Sequence, residues 1–141
     1  MKAQKQETKK FKVNVKRISP QQAVAETHGQ KVTLAIQGKD PNLGFTAPET
    51  VLAAFGACIL SNVTKGAAEM GLQVADASIE FSALKRLAPL GYEDLQYTLT
   101  LQSPEPPEKL QALYEYATTD GTATKALLEG LKPQGALKIQ K

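Results

Sequence analysis

Residues 46–62 read TAPETVLAAFGACILSN, and the period of that run decides the fold. Val51, Phe55, Ile59 and Val63 recur every four residues, with Leu52 and Cys58 close to the same stripe, which is the spacing of one apolar helix face. A helix over roughly residues 47–70 follows. Thr46 and Glu49, three apart, make a capping box in which each side chain accepts from the other's backbone N–H. Pro48 sits in the first turn, where its missing N–H costs nothing, and Gly71 ends the run. Ala53, Ala54, Gly56 and Ala57 leave few polar positions over the first four turns, so the helix has to be enclosed on most sides. A glycine inside a helix costs about 1 kcal/mol relative to alanine. Gly56 therefore implies a close approach, and the expected neighbour is a second copy of the chain.

Upstream, the period is two. Phe11, Val13, Val15 and Ile18 nearly alternate with Lys12, Asn14 and Lys16, the mark of a strand with one buried face. Two more extended runs flank His28-Gly29, with Val32, Leu34 and Ile36 alternating, so a three-stranded meander precedes the helix. The stretch GKDPNLGF at residues 38–45 is turn-rich, with Asp40 and Asn42 as turn formers. Downstream, Ile79, Phe81 and Ala83, then Leu95, Tyr97, Leu99 and Leu101, alternate around the turn residues of LAPLGY, giving two long strands. Leu110, Leu113, Tyr114 and Ala117 fall at helical spacing after a proline-rich start. A short helix after Asp120-Gly121 and a final strand in GALKIQ (135–140) complete the order. The fold class is α+β.

The chain has 141 residues, enough for one domain with its own core. Residues 1–9 are expected to be a flexible basic arm and residues 10–141 a single domain. The formal charge of +3 is uneven, because seven cations against Glu7 alone lie in residues 1–17. Such an arm suits a solvated tail and a protected edge strand; it carries only Phe11 as an aromatic, so nucleic acid is not an expected partner. One cysteine and one histidine cannot form a disulfide or a zinc cluster. No metal, flavin or haem is expected. Neither a signal peptide nor about 18 consecutive apolar residues occur, so a soluble, cytoplasmic protein without a membrane partner is expected. The glycines match no phosphate-cradling pattern, and His28 reads as a hairpin-turn residue rather than a base. The four tyrosines read as packing, with Tyr92 and Tyr97 the two that suit a pocket wall.

Together, TAPETVLAAFGAC, the following AAEMGLQV, the strand pattern and the late ALYEYATTDGTATKALLEGL resemble the OsmC/Ohr family. The resemblance covers nearly the whole chain beyond the arm, and its most specific piece is Leu52 to Cys58. It implies an intertwined homodimer that reduces organic hydroperoxides through a cysteine on the central helix. It also implies that Cys58 is the peroxidatic cysteine and Glu49 the acid that orients it. The family's second cysteine would fall at Gly121 or Thr122, so this chain lacks it. The family's activating arginine has only Arg17 and Arg86 as counterparts.

The chemistry places conditions on that reading. A thiol attacks a peroxide as thiolate, and its ordinary pKa of about 8.5 rises with burial. Cys58 lies about 12 residues from its helix start, beyond the reach of that helix's dipole. A positive neighbour brought in by tertiary or dimer contact is therefore expected. Glu49 and Cys58 are nine residues apart, which sets them on opposite faces and roughly 13 Å apart along the axis. A contact between them needs two copies of the chain or a broken helix. Two readings follow. The first is a one-cysteine hydroperoxide reductase or thiol sensor served by an external thiol reductant; the second is a non-catalytic OsmC-fold protein that binds an apolar small molecule, with Cys58 a buried small hydrophobe.

Overall fold

The computed structural model describes residues 8–130 and 132–140. The expected arm at residues 1–9 lies mostly outside them. Backbone contacts gather into two compact units, residues 1–50 and 51–141.

The first unit is an antiparallel meander of β1 (Asn14–Arg17), β2 (Gln22–Thr27) and β3 (Gln30–Ala35), in that order. His28 and Gly29 both take positive φ, 51° and 76°, which is the two-residue hairpin turn whose twist matches the flanking strands. Asp40 Oδ1 accepts from the Asn42 N–H at 2.9 Å and starts a 3₁₀ turn, Pro41–Leu43. The buried face expected for β1 is absent among the described residues. Phe11, Val13, Val15 and Ile18 are all more than half exposed, because no described element of this unit lies over them; Ala23 is its one buried apolar residue among those described.

The second unit is built on α1 (Ala47–Met70), whose first residues lie in the first unit. The capping box forms as expected: the Thr46 N–H donates to Glu49 Oε1 at 3.0 Å, and the Glu49 N–H to Thr46 Oγ1 at 3.4 Å. By length and composition α1 is apolar enough to cross a membrane. Here it is a core helix: Phe55, Ile59, Val63 and Ala67 are buried. They pack against the inner face of the hairpin of β4 (Asp76–Leu87) and β5 (Leu90–Gln102), where Ala77 pairs with Leu101, Ile79 with Leu99 and Phe81 with Tyr97. That face is the alternation read in the sequence. On it the Phe81 ring lies 5.3 Å from Phe55 and 5.7 Å from Tyr97, centroid to centroid. From the other side come Leu113 and Ala117 of α2 (Pro107–Thr119), both fully buried. A short α3 (Thr122–Glu129) follows.

Two expectations change. Gly56 does make a close approach, but to β4 of its own chain: a Cβ there would stand 3.0 Å from the Phe81 ring and 3.2 Å from Ile79. The final strand does not form. Residues 132–140 carry no regular structure, and Leu137 is 87% exposed; a strand needs an edge to pair with, and this segment pairs with none of the described strands.

Gly66 supplies a test of the α1–α2 packing. Alanine in mid-helix ordinarily gains about 1 kcal/mol over glycine. A Cβ at Gly66 would stand 2.5 Å from the Tyr116 ring and 2.9 Å from Leu113 Cδ1, and Leu113 is enclosed. Gly66→Ala is expected to lower stability by about 1 kcal/mol net through overpacking, read as a lower urea midpoint at unchanged slope.

Candidate active site

Cys58 sits on α1, partly covered, with its sulfur turned toward the junction of α2 and α3. Thr124, fully buried, donates its hydroxyl to Cys58 Sγ at 3.5 Å. The backbone N–H groups of Thr124 and Ala123 also donate to the sulfur.

The reason lies in how α3 begins. A helix leaves its first N–H groups without partners, and a capping side chain usually accepts from the second or third of them. The capping position of α3 is Gly121, at φ 112°, which has no side chain and makes no capping bond. A Cβ built on Gly121 would collide with Cys58 Sγ. The sulfur of α1 thus stands where a capping side chain would, and takes the N–H groups of the second and third residues of α3. Of the two positions that the sequence reading offered for a second cysteine, Gly121 is the one against Cys58.

These contacts decide the state of the thiol. Burial pushes the Cys58 thiol up, and the charge of Asp120 pushes the same way. The Thr124 hydroxyl and the two backbone N–H groups outweigh both, so the thiol lies below its ordinary value. Within the chain the start of a helix, with its aligned dipoles, lies at the sulfur, and no guanidinium or ammonium of the described residues is among the groups acting on it. Arg86 instead donates to the Pro89 carbonyl at 2.8 Å, in the β4–β5 turn.

Asn62 stands one helical turn after Cys58. Its Nδ2 donates to the Asp120 carbonyl at 2.7 Å and to the Ala117 carbonyl at 3.3 Å. Sequence reading missed Asn62 and Thr124, and it had Gly121 only as the place of an absent cysteine. The signal was present only as a polar residue four after the cysteine and a glycine with no capping side chain before a helix.

Glu49 lies in the capping box. The Thr46 N–H, and then its hydroxyl, hold the Glu49 carboxyl below the usual carboxylate range. The helix α1 is unbroken from Ala47 to Met70, so nine residues keep Glu49 roughly 13 Å along the axis from Cys58. One copy of α1 does not bring the two together.

An α+β chain with this element order and a long apolar central helix has the architecture of the OsmC type. Comparison bears this out: the family model described as OsmC-like protein matches residues 37–134, and the chain belongs to that family. Among solved structures, the OsmC-like protein of Mycoplasma pneumoniae superposes with a TM-score of 0.79 at 15% identity, over 86% of this chain and 89% of that one. The organic hydroperoxide resistance protein OhrB of Bacillus subtilis gives 0.58 at 18% identity, over 85% and 93%. An OsmC-like hydroperoxide resistance protein from Jannaschia sp. gives 0.55 at 19%, over 90% and 91%. No curated protein matches.

Proposed function

We propose that this protein reduces organic hydroperoxides with Cys58 as its one reacting sulfur, in a cycle completed by an external thiol. The observation that carries the reading is the Cys58 sulfur held by the Thr124 hydroxyl and the N–H groups that open α3. Two structural neighbours described as hydroperoxide resistance proteins support it.

In the first step the Cys58 thiolate attacks the terminal oxygen of R–O–O–H. The O–O bond breaks, the S–O bond forms, and the alkoxide leaves with a proton as the alcohol. Sulfur is oxidised by two electrons to the sulfenic acid. This chain has no second cysteine to condense with it. An external thiol therefore displaces water from the sulfenic acid to give a mixed disulfide, and a second thiolate attacks the external sulfur, releasing Cys58 as thiolate. The α3 donors that stabilise the starting thiolate also receive it when it leaves at the end. A one-sulfur cycle of this kind suits a reducing, cytoplasmic setting. An organic rather than an inorganic peroxide fits the surroundings, since Ala54 and Ala57 beside Cys58 on α1 are exposed and apolar.

A homodimer is part of the proposal. Phe11, Val13, Val15, Val32 and Phe45 of the first unit are each more than half exposed, and so much uncovered apolar surface on one small unit marks an interface. Glu49 acts on Cys58 only if two copies of the chain supply the pair.

Intact-mass measurement after one equivalent of cumene hydroperoxide at neutral pH tests the chemistry. The expected result is a gain of one oxygen that a dithiol reverses. An unchanged mass overturns the proposal and leaves an OsmC-fold protein whose role is to bind an apolar small molecule.

A further inference from the structure

We propose that Asn62 is the positioning residue of this site: by holding the end of α2, it fixes the start of α3 against Cys58 and so sets how readily the thiol ionises. The inference rests on the proposed thiol chemistry but concerns the ionisation itself, which can be read without any peroxide.

The geometry runs through three consecutive pieces of chain. The last carbonyls of a helix have no partner within it. In α2, Asn62 Nδ2 binds one of them, that of Ala117, at 3.3 Å, and then the carbonyl of Asp120, the residue that closes α2, at 2.7 Å. Asp120 is followed at once by Gly121, the capping position of α3, and then by the helix that carries the sulfur's donors, Ala123 and Thr124. Asn62 and Cys58 lie four residues apart on one helix, so they face the same side. A Cβ on Gly121 would meet both: it would collide with Cys58 Sγ and stand 3.1 Å from Asn62 Nδ2. Gly121 is therefore the seat in which the α2–α3 junction rests on α1, and Asn62 is the bolt.

Among the described residues the junction has no other side-chain tie of this kind beside the sulfur. Gly121 itself makes no side-chain bond. Lys125 of α3 turns to Glu129 at 3.9 Å. Asp120 is the charged group whose field reaches the sulfur, and it pushes the thiol up. Asn62 holds that residue by its carbonyl. Without the tie, the Ala123 and Thr124 donors lose their fixed distance to Sγ, while burial and Asp120 continue to disfavour the thiolate.

The test is the pH profile of iodoacetamide alkylation, made unambiguous by the single cysteine of the full chain. In Asn62→Ala the midpoint is expected to move to higher pH, and alkylation at neutral pH to slow roughly fivefold, as charge-assisted donors to the thiolate are loosened. Asn62→Asp, which has the same shape but no donors and an added charge, is expected to slow more. Asn62→Gln, which keeps the donors, is expected to restore part of the rate. A folded Asn62→Ala with an unchanged profile overturns the proposal. Should the variants fail to fold, the wild-type protein gives the reading: the Asn62 side-chain amide and the Ala123 and Thr124 backbone amides are expected to shift in NMR spectra with the Cys58 titration, and an Asn62 amide that does not respond overturns it. Peroxide reduction is scored separately, so an oxidisable Cys58 with an Asn62-independent profile refutes this inference alone, and an Asn62-dependent profile without peroxide chemistry refutes only the proposed reaction.

Discussion

Cys58→Ser is expected to abolish hydroperoxide consumption while leaving the fold intact. The substitution changes one atom. Serine fits the space between α1 and Gly121, and its oxygen accepts from the Thr124 hydroxyl and from the N–H groups of Ala123 and Thr124 that now hold the sulfur, so α3 keeps its cap. An alcohol at this site has no means of ionising near neutral pH, since no base accompanies Cys58: its partners, the Thr124 hydroxyl and two backbone N–H groups, are all donors. Oxygen also cannot cycle through a sulfenic acid. Loss of cumene hydroperoxide with time, in the presence of a dithiol, is expected to fall to the rate of buffer alone, with a thermal midpoint close to that of the wild type. Retained consumption in the serine variant would sink the reaction proposed here, because no second sulfhydryl exists to account for it.

The residues differ in how far the chain alone revealed them. The hairpin at His28-Gly29 and the capping box of Thr46 and Glu49 were legible because both are closed by neighbours within four residues. The inner face of β4 and β5 was legible because alternation survives whenever one side of a hairpin is covered. Alternation failed to reveal whether a cover exists, which is why Val13 and Val15 read as buried and stand exposed. The same limit applies to residues 135–140, whose pattern fits a strand but whose pairing edge is not a local property. The site was half legible. Cys58 stood out as the one cysteine, yet Thr124 lies 66 positions from it and Asp120, whose carbonyl Asn62 binds, lies 58 positions from Asn62; they meet only through the way α2 turns into α3. The need for something positive near the sulfur was sound physics. A cation was the obvious supplier to seek in a sequence, whereas a helix start becomes a donor to another helix only once the chain has folded.

Thr124 is the residue through which that supply can be measured. Thr124→Val preserves the volume of a fully buried side chain and removes one hydroxyl, the group that does most to lower the Cys58 thiol. Burial and Asp120 then push upward against two backbone donors alone. A hydrogen bond to a charged group is worth enough that alkylation by iodoacetamide at neutral pH is expected to slow on the order of tenfold, with Thr124→Ser close to wild type. The sign of the pH dependence follows from the direction of the shift. The folded thiol lies below its ordinary value, so the folded state has released its proton where the unfolded chain still holds it. That linkage adds stability as pH rises, fully present above the unfolded value and lost as pH falls through the folded one. Wild type should therefore gain on Thr124→Val between those two points, and the difference in alkylation rate should close once pH is high enough to ionise both proteins. A Thr124→Val profile that overlays the wild type would show that the hydroxyl does not govern the thiolate, and the start of α3 would have to act through its backbone alone.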